Sequence, residues 1–345
     1  MNGKATRIDL LSLKTPQMRA FHLTWMAFFV CFFAWFACAP LMPVLKGEFG
    51  LTPGQIANIN IAAVAVTIIV RLIIGPLCDR FGPRKTYTGL LAIGALPVLG
   101  VALAQNYETF LFFRLLIGAV GASFVITQYH TSVMFAPNVV GTANAASAGW
   151  GNAGGGAAQA AMPLLLGAIL MIGVDHTLGW RLALVVPGVL MLIMAVVYWK
   201  FTQDCPEGNY SDLRARGVAV SGAKGGKGGG GWASFKAASA NYRVWLLFIT
   251  YGACFGVEIF IHNVAATSTW TTSACRCRPP AWLRRASACW RCSPGRWAAM
   301  CRTASPAAVA WTPARWCCSS LSSAKGWACC GSRRHPASRW PWWPC

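Results

Sequence analysis

Arg71 interrupts the apolar run "IAAVAVTIIVRLIIGPL". A guanidinium in hydrocarbon costs at least about 2.5–3.5 kcal/mol on insertion scales and normally faces a polar cavity and a partner. No acid lies in the neighbouring apolar runs, so an anionic ligand is a natural partner, because the planar fork of an Arg pairs with a planar oxyanion. The other reading has Arg71 snorkelling to the membrane edge. A second unusual stretch, "AGWGNAGGG", places Gly149, Gly151, Gly154, Gly155 and Gly156 around Asn152. Small residues three or four apart let helix backbones touch inside a bilayer. Asn152 then either offers an amide to a cavity or glues two helices together. Helical rise puts Arg71, Asn152 and Tyr251 each about 12–15 Å from one membrane face, near the midplane, where transporters bind their substrates. Glu258 and His262, four apart, share a helix face and read as a proton-coupling carboxylate with its neighbour, or as a plain pair near the surface.

These residues need helices to hold them. The chain has 345 residues, 56% hydrophobic and 11% charged, against about 25% charged in soluble domains, with a mean hydropathy of +0.48. The expected fold is all-α and polytopic in a lipid bilayer. Apolar runs long enough to span lie near 21–45, 56–77, 86–104, 109–133, 142–172, 178–201 and 243–266. Residues 1–201 form a six-helix bundle, 202–242 a Gly-rich linker ("SGAKGGKGGGG"), and 243–267 the first helix of a second bundle. Arg114 and Arg181 fall near span ends, where they can snorkel. Gln128 and His130 read as structural hydrogen-bonding groups. Lys and Arg cluster in the N-terminal tail, in the loop after the second span and in 202–242. This asymmetry predicts a cytoplasmic N-terminus in a cell inner (plasma) membrane. The net charge of +21 therefore belongs to loops and tail and does not indicate nucleic acid. No nucleophile–base pair, metal cluster or phosphate loop stands out, so neither enzyme, metal nor cofactor is expected.

Residues 268–345 differ in kind, with ten of the fifteen Cys, ten of the seventeen Trp, eleven Arg and no Asp or Glu. The "CRC" and "CC" pairs lack the two-to-four-residue spacing of structural zinc knuckles. A shifted reading frame turns Trp and Cys codons into Leu, Met or Val, and Ser codons into Phe, Leu, Ile or Val. The tail is thus expected to be an out-of-frame translation of a membrane segment, leaving the chain truncated and inactive in transport.

The loop "GPLCDRFGPRK" carries Gly75, Asp79, Arg80, Gly82 and Arg84. It resembles the G-x-x-x-D-R-x-G-R-R signature of the major facilitator superfamily, displaced one step by Pro83. The glycine stretch on the fifth span, with "VRLIIGPLCDRFGPR" and "YGACFGVEIFIHNVAAT", resembles the nitrate/nitrite porter family within it. The resemblance covers residues 21–267. It implies a monomeric carrier that moves nitrate or nitrite by alternating access, coupled to protons or to anion exchange, with Arg71, Asn152 and Tyr251 at the anion. The family's second glycine signature and second essential Arg belong to a C-terminal half not found here. An organic-anion antiporter with a wider, less Gly-lined site is the alternative carrier; a non-transporting membrane fragment is the other.

Overall fold

The computed structural model describes residues 3–10, 12–217 and 236–274, with 264–274 as backbone only. The tail from 275 onward and the Gly-rich stretch 221–231 lie outside the described residues. Ten helices carry the description below: α1 (Pro16–Phe36), α2 (Met42–Phe49), α3 (Pro53–Phe81), α4 (Pro83–Gly100), α5 (Tyr107–Ile117), α6 (Ser123–Met134), α7 (Val140–Met171), α8 (His176–Phe201), α9 (Tyr210–Ala215) and α10 (Tyr242–Ala274). A 3₁₀ stretch, Gly118–Ala122, joins α5 to α6 into one continuous span. Among the described residues, seven helices or helix runs are long and apolar enough to cross a membrane. Helices suit that solvent because they satisfy every backbone donor and acceptor internally.

The first span begins earlier and ends earlier than its hydropathy suggests. Thr15 caps α1 by accepting from the Met18 N–H (3.4 Å), and Pro16 opens the first turn, where its missing N–H does no harm. The run "CAPLMPVL" then breaks the helix at residues 37–41. Pro43 starts α2, which stops at Gly50 in the left-handed region (φ 60°). Elsewhere the ends carry ordinary signals: a Thr52–Gln55 capping box on α3, an Asn106–Thr109 box on α5 and an Asp175 cap on α8.

α1 is the central post, with more than half of its apolar window buried. It packs along α7 and also touches α6 and α8; α4 lies against α8, and α3 against the α5–α6 span. Phe28, Phe32, Trp35 and Phe36 of α1 fill the middle of the core. α10 differs. Its residues 242–250 are all exposed, whereas Phe255 and Asn263 are buried. Its second half is docked on the bundle and its first half stands clear.

The segment after α8 also departs from the expected linker. Cys205, Tyr210 and Leu213 are buried against Val133, with Tyr129 alongside. Residues 203–217 therefore cover the bundle face that carries the basic loops, called the basic face below.

Candidate functional site

Arg71 leaves α3 half-buried. Its Nε and Nη2 both donate to the Gly121 carbonyl (3.4 and 3.1 Å), in the 3₁₀ stretch of the α5–α6 span. The guanidinium carbon stands 5.5 Å from the centre of the Phe255 ring. Nη1 has no hydrogen-bond partner among the described residues. This is not a snorkelling side chain: it is folded inward onto a neighbouring helix and a ring. It forms no ion pair among the described residues, so its charge is met by one carbonyl dipole and one aromatic face.

Tyr251 joins it. The Tyr251 ring stacks on Phe255 (5.6 Å, 15°) and on Phe124 (5.8 Å, 23°), and its phenol lies within electrostatic reach of Arg71. Phe124 in turn meets Phe28 (5.7 Å), and Phe28 fills the place a Cβ on Gly151 would take. A chain of rings thus runs from α7 through α1, α6 and α10 to Arg71. Phe28, Phe124 and Phe255 escape sequence reading because a Phe in an apolar run carries no mark of its own.

The five glycines divide. A Cβ on Gly154 would collide with the Phe29 carbonyl oxygen, and one on Gly155 would sit 3.0 Å from Phe36 and 3.1 Å from His262. Gly149 and Gly156 have open space and no packing role among the described residues. Gly118 and Gly121 serve the same purpose on the facing span: added Cβ atoms would lie 2.8 Å from the Ala63 carbonyl oxygen and 2.7 Å from the Trp35 ring. Among the described residues Asn152 makes no interhelical hydrogen bond, and its Oδ1 is buried without a partner.

Glu258 and His262 face each other at 3.9 Å. The His262 ring lies 4.7 Å from Phe36, and its carbonyl accepts from Gln159 of α7 (2.7 Å). The pair is docked against the bundle rather than placed at a free surface.

Arg114 departs from the edge-of-membrane expectation, and Arg181 keeps to it. Arg114 is fully buried; Nη1 donates to the Trp35 carbonyl (2.6 Å) and Nη2 to Asn263 of α10 (3.2 Å). Arg181 pairs with Glu48 of α2 (2.9 Å) and donates to the Ala102 and Ala104 carbonyls. Sequence depth locates a residue along the helix axis but not which way it faces. His130 and Gln128 are structural, as expected. His130 Nε2 faces the Gln203 carbonyl (2.9 Å), which only accepts, so that nitrogen carries the proton; Nδ1 accepts from the Tyr198 hydroxyl. Gln128 donates to Asn144 (3.3 Å).

The loop motif forms a separate cluster on the basic face. Asp79 accepts from the Tyr129 hydroxyl (2.9 Å), and the Asp79 and Arg80 carbonyls accept from Arg214 of α9. Gly82 (φ 88°) turns the chain where a Cβ would fall on the Asp204 carboxylate. Asp204 accepts from the Arg84 backbone N–H (2.8 Å) and the Tyr210 N–H (3.0 Å). Arg84 reaches Trp199 O (2.8 Å) and Asn209 (3.2 Å) and stacks over the Trp199 ring at 4.4 Å. Burial pushes the Asp204 carboxyl above the usual carboxylate range, against the opposing pull of its two backbone N–H bonds and of Arg84 and Lys85. A Cβ on Gly75 would meet nothing within 4 Å among the described residues.

Six packed spans, a docked basic-face loop and a half-open seventh helix over a half-buried Arg define a carrier-type membrane fold. The Major Facilitator Superfamily profile matches residues 24–274, and the chain belongs to that superfamily. Its relatives include a "High-affinity nitrate transporter 2.3" of Oryza sativa subsp. japonica, 39% identical over 76% of this chain and 49% of that one. "Nitrate transporter 2.2" of Chlamydomonas reinhardtii is 38% identical over 76% and 50%. A nitrate/nitrite transporter of Nostoc punctiforme is 40% identical over 56% and 39%. The chain spans about half the length of the curated relatives it matches. Among solved structures, a bacterial homologue of the human lysosomal transporter Spinster shares the fold, with a TM-score of 0.54 at 18% identity over 74% of this chain and 56% of that one.

Proposed function

We propose that this chain contributes the N-terminal half of a site that carries nitrate or nitrite across a cell inner (plasma) membrane by alternating access. One observation carries the reading: Arg71, without an acidic partner, holds its Nη1 free beside Phe255 and Tyr251. A small flat anion supplies what that guanidinium lacks, and Asn152 carries an amide N–H able to donate to it. The names of the relatives support the choice of anion. The basic N-terminal tail, loop 80–85 and residues 214–216 support a cytoplasmic N-terminus. The carrier works as a monomer. Its coupling is either proton symport, with Glu258 as the carboxylate that takes the proton, or exchange for a second anion.

The test is the nitrate affinity of Arg71→Lys. A point-charge ammonium cannot reproduce the coplanar donors of the guanidinium. Losing a charge-assisted hydrogen bond costs about 1.5–3 kcal/mol, so binding should weaken at least about tenfold. Arg216→Lys, at an exposed position, should bind as the parent does. Equal affinity in Arg71→Lys and the parent would remove Arg71 from the site. Competition by a dicarboxylate as strong as that by nitrite would favour an organic-anion carrier instead.

A further inference from the structure

Arg114 is the buried cation the reading above leaves without a task. It is fully buried, forms no ion pair among the described residues, and its Nε has no hydrogen-bond partner. Its Nη1 bond goes to a last-turn carbonyl of α1, where the helix end offers about half a negative charge. Its Nη2 bond goes to the Asn263 amide oxygen, and Asn263 Nδ2 is tied back to Ile259 O (2.9 Å). Both oxygens that meet this cation are neutral, in a place where an unpaired cation is expensive.

Arg114 and Arg71 stand at two levels along the same helices. Arg71 is anchored on Gly121, seven residues beyond Arg114 on the same span, or about 10 Å along the axis. On α10 the residue against Arg71 is Phe255 and the residue against Arg114 is Asn263, eight residues apart, or about 12 Å. Two independent helices give the same separation. Trp35 links the levels: its ring lies against Gly121, and its carbonyl holds Arg114. The Arg114 level is the one at which α10 is docked, and the exposed half of α10 lies at the opposite, basic end.

Opening the face away from the basic loops requires the docked half of α10 to leave. That breaks the Arg114–Asn263 bond and the Gln159–His262 carbonyl bond, and exposes a guanidinium with Nε and Nη2 both free. We infer that Arg114 is a second station for the transported anion, above Arg71, and that the Asn263 amide oxygen occupies the station while that face is closed. The inference rests on the anion-carrier reading. The anion meets Arg114 first, replaces Asn263, and passes to Arg71 as α10 redocks.

The experiment titrates sodium nitrate calorimetrically into the full chain in lipid nanodiscs, in an Arg71→Gln background that removes the deeper site. Arg71→Gln alone should bind nitrate poorly, because Asn263 covers the station. Arg71→Gln with Asn263→Ala should bind at least tenfold tighter. Adding Arg114→Gln should abolish that gain. Should Arg114→Gln fail to fold, Asn263→Asp, in the same Arg71→Gln background, decides: its fixed carboxylate should fill the station, raise the melting temperature and leave no nitrate binding above Arg71→Gln. A double variant that binds no better than Arg71→Gln overturns the inference, as does a gain that survives loss of Arg114, or nitrate binding retained in the Asn263→Asp protein. Equal binding by the parent and Arg71→Gln strikes instead at the Arg71 site.

Discussion

The division among the glycines turns on what stands opposite each one. Gly154 faces the Phe29 carbonyl oxygen of α1, backbone that cannot rotate away, whereas Gly151 faces the Phe28 ring, which can move. Overpacking a tight contact costs about 1–3 kcal/mol. Gly154→Ala should therefore lower the melting temperature of the purified protein more than Gly151→Ala does. Gly149→Ala and Gly156→Ala should be neutral or stabilising, because their surroundings are open and Ala is the better helix former by about 1 kcal/mol. Equal destabilisation at all four positions would mean the stretch acts by flexibility and not by close contact. The sequence shows that this stretch is unusual, but not which glycines matter, since that depends on the side chains of α1. The same limit applied to the arginines: the apolar run around Arg71 marks it as unpaired, while the burial of Arg114 follows from a helix facing that hydropathy does not encode.

At the scale of elements, the spans were legible from apolar length, and most ends fell within a few residues of expectation. The exceptions have local causes. Pro40 and Pro43 end the first span early and start α2. Residues 203–217 were hidden by the polar, Gly-rich composition that follows them, although Tyr210 and Leu213, three apart and both buried, were a readable sign of a docked helix. Asp204 was missed with that segment. Its carboxyl is buried and titrates above its ordinary value of 3.8. The folded protein thus holds this proton more tightly than the unfolded chain does, and stability from this group rises as pH falls through the raised value toward 3.8. Above that range the charged form is buried at a cost, met by the Arg84 and Tyr210 N–H bonds. Asp204→Asn keeps one acceptor and loses the titration. It should unfold more easily than the parent, and the gap should widen as pH is lowered from about 7 to about 4.5. Thermal unfolding of both proteins across that range checks it; parallel profiles would place the Asp204 pKa at its ordinary value.

For the whole molecule, the uneven burial of α10 is the informative feature. Tyr251 stacks on Phe255 and Phe124 yet stays 45% exposed, and residues 242–250 make no buried contact with the bundle. In the proposed reading, the described residues supply one wall of the anion site, and α10 is the first helix of the opposite wall. In alternating access, a fixed site near the midplane is exposed to one side and then the other by two bundles rocking against each other. In the proposed reading the bundle binds the anion through Arg71, and alternating access needs a second bundle for it to rock against. Vesicles containing this 345-residue chain alone should bind nitrate and accumulate none above empty vesicles. Co-reconstitution with the remaining half of one of the relatives named as nitrate transporters should restore uptake, and Arg71→Lys in this chain should abolish the restored flux. Uptake of labelled nitrate separates the outcomes. Accumulation by the chain alone would mean that α10 and whatever follows it, or a second copy of the bundle, completes the opposite wall. Restored uptake that is indifferent to Arg71 would mean that the anion travels by a route these helices do not line.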